Sequence, residues 1–380
     1  MENSSKYDYV ISGAGCAGLS LAMHMIESQK FSDKKILIVD KELKQSNDRT
    51  WCFWQRESGL FENIIYKSWD QLFFHGEKYS EQIDIRPYQY KMIRGIDFYE
   101  YCLNAIQQHK NFEILFENVE SVFSQEQTGI VVNGEKIFAD YVFNSILFGK
   151  PSLAKNDLWL IQHFKGWMIE TEENAFAINT ATLMDFRIDQ KFGTAFCYVL
   201  PISSKKALVE YTLFSKQLLQ QQQYDEGLRF YIKNILNIQS YKILDREFGT
   251  IPMTNFKFSS QQNNIINIGT AGGQTKGSSG YTFNFIQKHS KDLVNALIDT
   301  GKPYVKKQSP RFNFYDSVLL DVLNDGKIPG KEIFTDLFKK NPVEKVFKFL
   351  ENQTSLSEEL QIISSLPTLP FLKAGIKQVF

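Results

Sequence analysis

The hexapeptide Gly13-Ala14-Gly15-Cys16-Ala17-Gly18 has glycine at its first, third and last positions. Glycine there permits a tight turn at Gly13, a close approach of the Gly15 backbone to a pyrophosphate, and a helix lying close to its strand at Gly18. The N–H groups opening that helix then face the phosphates with a partial positive charge. Asp40, with Lys41 beside it, stands 22 residues past Gly18, where a carboxylate accepts hydrogen bonds from a ribose. Glu210 points to a second chemistry. By two-residue alternation it shares a face with Leu208, Thr212 and Phe214. A carboxyl group on so apolar a face has its pKa raised by desolvation and stays protonated near neutrality. The alternation alone favours the plainer reading, a strand glutamate turned to solvent. Asp185 and Arg187, two residues apart, would share a strand face, either as an ordinary ion pair or as part of an acid–base apparatus.

These residues need elements to hold them. Residues 7–12 (YDYVIS) read as a strand, residues 19–26 (LSLAMHMI) have helical spacing, and residues 35–39 form a second strand ending at Asp40. Strand, glycine turn, helix, strand and acid make a complete dinucleotide-binding unit. Residues 196–202 and 207–214 alternate around the polar turn 203–206, a hairpin signal. Residues 264–269 (NIINIG) read as another Rossmann-type strand. A glycine-rich run and a helix follow, ending near Thr300, with Gly301 and Pro303 beyond it. From Tyr315 onward the pattern is helical; Pro342 suits a first turn, and Ser355 with Glu358 spells a capping box. The expected fold is α/β, with a discontinuous Rossmann-type FAD-binding domain (1–70, 91–150 and 246–300). A mainly antiparallel β substrate domain (71–90 and 151–245) is inserted in it, and a helical C-terminal region (301–380) follows.

Composition excludes several classes. Lysine plus arginine equals aspartate plus glutamate, 43 each, so no excess positive charge exists to hold nucleic acid. Cys16, Cys52, Cys102 and Cys197 lack paired spacing and the five histidines do not cluster, against a disulfide framework or a metal site. No signal peptide and no run of about 18 apolar residues is visible, so a cytoplasmic protein touching membrane only at its surface is expected. In residues 371–380, Leu372, Ile376 and Phe380 recur every four residues beside Lys373 and Lys377. That pattern fits a short interfacial helix, and equally a tail docked on the core.

Residues 47–54 (NDRTWCFW) place an arginine and two tryptophans within eight positions. With 162–167 (QHFKGW), 183–187 (LMDFR), 196–201 (FCYVLP), 208–212 (LVEYT), 247–253 (EFGTIPM), 269–275 (GTAGGQT) and 279–281 (SGY), the chain resembles the bacterial lycopene β-cyclase family, within the hydroxylase-type flavoproteins. The resemblance implies FAD on the Rossmann unit. It sets Arg49 near the cofactor's phosphates or ribose, unless Asp48 simply holds it at the surface, and places the family's essential glutamate at Glu210. The two tryptophans would line the pocket or fill the domain junction. Many flavin hydroxylases carry Gly-Asp where this chain has Gly269-Thr270, a departure that weakens a hydroxylase reading; the amides of Ala271, Gly272 and Gly273 remain able to reach a flavin.

The reaction so implied is an isomerisation without net redox change. An acid protonates the terminal double bond of lycopene, ring closure moves the cation, and proton loss leaves a β-ring. Reduced FAD, supplied with electrons by NAD(P)H, would be the active form. An anionic flavin about 4 Å from the cation contributes roughly 4 kcal/mol at an effective dielectric near 20, against roughly 0.5–2 kcal/mol from one aromatic face. The expected partners are a long apolar carotenoid and the membrane surface. Rival readings on this fold are a flavin monooxygenase, a polyprenyl reductase, and a flavin-bearing lipid-binding protein without turnover.

Overall fold

The strand Tyr7–Ser12 is buried along nearly its whole length, as a central parallel strand must be. It pairs in parallel with Ile36–Val39 on one side and Glu135–Asn144 on the other. The computed structural model describes residues 6–304 and 309–379. Around the central strand it builds an eight-stranded sheet that continues to Phe112–Leu115 at one edge and, through Ile265–Asn267, to Gln261–Gln262 at the other. Helices Cys16–Ser28, Gly95–Gln107 and Phe283–Thr300 cover one face. Leu19, Ile38, Phe98, Phe143 and Leu293 form the core between them.

The second body is a seven-stranded sheet, antiparallel except where Thr180–Asp185 runs parallel to Gln71–Gly76. The hairpin expected near residues 196–214 is there as Thr194–Pro201 and Lys206–Ser215. Strand Trp159–Glu170 lies between Lys206–Ser215 and the edge strand Lys242–Thr254. One face packs on the helix Gln221–Phe230 and the turn after it through Trp167, Val209, Tyr224 and Tyr231. The other packs on the C-terminal helices. Phe74 stacks on Phe338 at 4.5 Å and Phe186 on Phe334 at 5.9 Å, each buried ring contributing about 1.5–3 kcal/mol.

Two expected boundaries shift. Lys242–Thr254 runs across residue 246, so the seven-stranded sheet extends to Thr254; its mostly exposed first half and Pro252 are tolerable because it is an edge strand. Gln89–Arg94 joins neither large sheet. It pairs with Thr50–Gln55 and Lys67–Trp69 in a small sheet that straddles the division expected at residue 90.

The C-terminal region is helical, as expected: Pro310–Asp325, Gly330–Lys340, Val343–Leu350, Leu356–Ser365 and Thr368–Val379. Pro342 caps the third of these, and the Ser355–Glu358 box caps the fourth, with Glu358 Oε2 accepting from the Ser355 amide at 2.9 Å. The last helix has two apolar sides. Ala374 and Phe371 dock on Pro310–Asp325, and Lys377 pairs with Asp321. Leu369, Leu372 and Ile376 stay exposed; Phe380 lies outside the described residues.

Candidate active site

The glycine turn is shaped by contacts that admit no side chain. Gly13 has φ +99°, and a Cβ on Gly18 would stand 1.9 Å from the Gly13 carbonyl oxygen. Gly15 differs: a Cβ there meets nothing within 4 Å. It borders open space at the start of a helix whose first N–H groups receive no side-chain cap. Asp40 is buried behind the turn. Its Oδ2 accepts from the Ala14 amide at 2.7 Å, and Lys44 sits 3.1 Å from Oδ1. Lys41 points outward beside Glu42. Ala17 and Cys16 are buried in the helix, the Cys16 thiol pushed up to about 12 by burial, partly offset by the Ser20 hydroxyl and then the Arg49 charge. Gly269, at φ +60°, lies against Ala17, since a Cβ on it would come within 2.7 Å of the alanine methyl. The segment with Ala271, Gly272 and Gly273 is thereby held beside the first glycine turn.

Arg49 lies between this crevice and a cavity of about 450 Å³. Its guanidinium binds Asp48 Oδ2 at 2.7 and 2.9 Å, and both residues line the cavity. The pairing with Asp48 considered from the sequence is therefore present, at the cavity wall. Trp51, Tyr90, Phe164, Tyr198, Tyr281 and Phe283 supply much of the remaining wall. The two tryptophans divide the alternatives between them. Trp51 lines the cavity, whereas Trp54 is buried at the junction, stacked on Phe347 at 4.4 Å. A second cavity of about 800 Å³ shares Pro252 and Thr270 with the first.

Glu210 is a lining residue of the first cavity, beside Leu208, and Tyr198 is its cross-strand neighbour. Protein packs around the carboxyl on all sides except the cavity. Burial, then the charge of Glu247, hold its pKa well above the usual carboxylate range. Thr212 Oγ1 donates to Glu210 Oε1 at 2.5 Å. The second carboxylate, Glu247, was not marked as a site residue by its type or spacing. It comes from the edge strand, in register with Gly166, and Glu210 is in register with the same glycine from the other side. The two side chains face each other across Gly166, near enough that each shifts the titration of the other. Burial raises Glu247 as well, while the hydrogen bond from Thr50 (2.8 Å to Oε2) and the neighbouring Glu210 pull it back down. Chemically, the arrangement is a carboxyl pair in an aromatic cavity, disposed to hold a single proton.

Asp185 and Arg187 are brought together, but not among the residues lining either cavity. The strand ends at Asp185, and Arg187 folds back from beyond it, Nε and Nη2 reaching the carboxylate at 2.9 and 2.6 Å. Tyr231 Oη donates to Asp185 Oδ2 at 2.8 Å. Asp185 is fully buried with its acceptors engaged, tying the sheet to the turn after Gln221–Phe230.

The family described as lycopene cyclase protein matches residues 8–375 of this chain. The lycopene beta-cyclase of Pantoea ananas is 20% identical over 387 residues, covering 97% of each sequence. Among solved structures, a flavoprotein/dehydrogenase from Cytophaga hutchinsonii superposes with a TM-score of 0.64 at 15% identity over 99% of both chains. A geranylgeranyl bacteriochlorophyll reductase-like protein from Thermoplasma acidophilum superposes at 0.59 and 13% identity over 98% of both. At these identities the structural likenesses establish the mixed α/β fold.

Proposed function

The chain belongs to the lycopene cyclase family, and from that premise we propose that it closes the acyclic ends of lycopene into β-rings by acid catalysis, with FAD bound in reduced form. The observation that carries this reading is the Glu210 carboxyl lining an aromatic cavity, where burial and the neighbouring Glu247 favour its protonated form. Glu210 donates its proton to the terminal double bond, whose electron pair forms the new C–H bond and leaves a tertiary cation. The neighbouring double bond attacks that cation to close the ring, and loss of a ring proton restores neutrality. Trp51, Phe164 and Tyr281 turn aromatic surface to the cavity, which gives the cation π-density.

The residues present fit FAD. Open space at Gly15, the uncapped helix start, Asp40 at the strand end and Arg49 between crevice and cavity would hold its pyrophosphate, ribose and flavin-proximal charge. When bound and reduced, the cofactor supplies negative charge near the cation.

The deciding experiment supplies lycopene to the reduced protein and analyses the products. Cyclised product should far exceed NAD(P)H oxidised, because the chemistry is redox-neutral. One-to-one consumption, with oxygen or hydrogen added to the polyene, would instead identify a monooxygenase or reductase.

So apolar a substrate resides in lipid, and no helix among the described residues is long and apolar enough to cross a membrane. We propose contact through the exposed sides of the last two helices, where Leu356, Leu360 and Ile363 precede Leu369, Leu372 and Ile376, with Lys373 available to anionic headgroups. Replacing Leu369, Leu372 and Ile376 together with serine should weaken liposome binding and leave the melting temperature and flavin content unchanged. Undiminished binding would remove this surface from the account.

A further inference from the structure

Three features stand outside the acid step: the second cavity, the exposed C-terminal apolar face, and the Glu247 side of the carboxyl pair. The second cavity's buried Lys276 is already neutralised by Asp316 at 2.7 Å, and the apolar face belongs to the membrane contact above. Glu247 has a buried carboxylate oxygen, Oε1, that the acid step leaves unused.

We propose that Glu247 is the base of the reaction: set against Glu210 across Gly166, it shares one proton with that residue and accepts the ring proton when the cation is quenched. The inference rests on the cyclase reading and adds to it a second reacting group. Three observations carry it. Glu247 Oε2 is fixed by the Thr50 hydroxyl at 2.8 Å, whereas Oε1 is buried with no hydrogen-bond partner among the described residues. Glu247 lines the same cavity as Glu210. Gly166 makes the meeting geometrically open: a Cβ on it would stand 2.9 Å from Glu247 Cγ and 3.0 Å from Oε1.

The proton ledger closes. At rest Glu210 is protonated and Glu247 ionised. Transfer from Glu210 to the alkene leaves two carboxylates facing one carbocation. After ring closure the C–H bond beside the cation breaks; its electron pair becomes the ring double bond, and its proton goes to Glu247. Passage of that proton from Glu247 to Glu210 restores the starting state without oxidant or reductant. Cys52 and Tyr90 from the small sheet, Tyr198 from the neighbouring strand and Tyr281 also face the pair; burial raises all four, so they stay neutral. Asp245, on the same strand as Glu247, opposes its ionisation, and the Asp48–Arg49 couple at the wall is internally neutralised.

The pH profile of kcat should be bell-shaped, with activity falling in acid as Glu247 protonates and in alkali as Glu210 ionises. Glu247→Gln keeps the hydrogen-bonding shape but cannot accept the proton. It should lower kcat by about a hundredfold or more with KM and flavin content little changed, and it should erase the acid limb. Gly166→Ala should push the Glu247 side chain away and give a smaller loss with the same signature. Infrared difference spectra of the substrate-free protein provide a readout independent of turnover: the carbonyl band of a protonated carboxyl at neutral pH should vanish in Glu210→Gln and persist in Glu247→Gln. Unchanged kcat and an intact acid limb in Glu247→Gln would overturn the base assignment, as would the reverse infrared pattern. A wild-type protein inert toward acyclic carotenoids removes the parent reading and the base role together, with the infrared result still reporting whether the pair shares its proton.

Discussion

Replacing Glu210 with glutamine should leave a folded, flavin-binding protein that forms rings at least about a hundredfold more slowly. Glutamine has nearly the same shape and still accepts from Thr212, so the strand between Gly166 and Tyr198 has no reason to shift. What is lost is a proton donor whose ordinary weakness toward an alkene is compensated by position and by exclusion of water. Melting temperature and flavin absorbance should therefore stay near wild type while product formation collapses. Asp185→Asn is the informative comparison. It leaves the Arg187 guanidinium without its carboxylate and weakens the bond from Tyr231, at a cost of about 1–3 kcal/mol. Its effect should appear in stability more than in turnover. Near-normal cyclisation by the Glu210 variant, with loss in the Asp185 variant, would exchange their roles.

Gly15→Val should abolish flavin binding without unfolding the protein. The open space around Gly15 separates it from its neighbours in the motif: a side chain at Gly18 collides with backbone, and one at Gly13 would have to adopt a left-handed conformation against Ser145. Valine at residue 15 obstructs only a ligand approaching the start of the helix. Purified Gly15→Val should be colourless and as monodisperse as wild type, and reconstitution with FAD should fail. A yellow variant with full flavin content would show that the cofactor's phosphates lie elsewhere. A variant that aggregates would show that the open space is needed by the fold.

The geometry of the glycine turn was legible in the sequence because its logic is local. Turn, helix and acid lie within residues 13–40, and each glycine has its reason within a few contacts. Glu210 was legible by another route: alternation put it on an apolar face, and the neighbouring motifs favoured an inward orientation. Glu247 was hidden by its own strand. Gly249 and Pro252 interrupt the alternation of residues 242–254, and their acceptability follows only from the strand being an edge. Its partnership with Glu210 depends further on two independent registers converging on Gly166, which no local pattern encodes. The same non-locality concealed the small sheet, where residues 50–55 find partners at 89–94. For Asp185 and Arg187 the two-residue spacing was read correctly as proximity; whether they face a cavity depends on where the strand stops.

The edge strand Lys242–Thr254 also bears on how this protein can be rebuilt. It is 13 residues long and belongs to the seven-stranded sheet for its whole length, yet the next strands, Gln261–Gln262 and Ile265–Asn267, already belong to the eight-stranded sheet. A chimera joined at residue 246 would graft half a strand from one parent onto half from another, one position before a carboxyl that must meet its partner over Gly166. Recombination between relatives should therefore tolerate a crossover in the loop of residues 255–260, after the last rung at Thr254, and fail a few residues earlier. The seam for domain shuffling is set by hydrogen-bond register, not by the point where the glycine-rich motif begins.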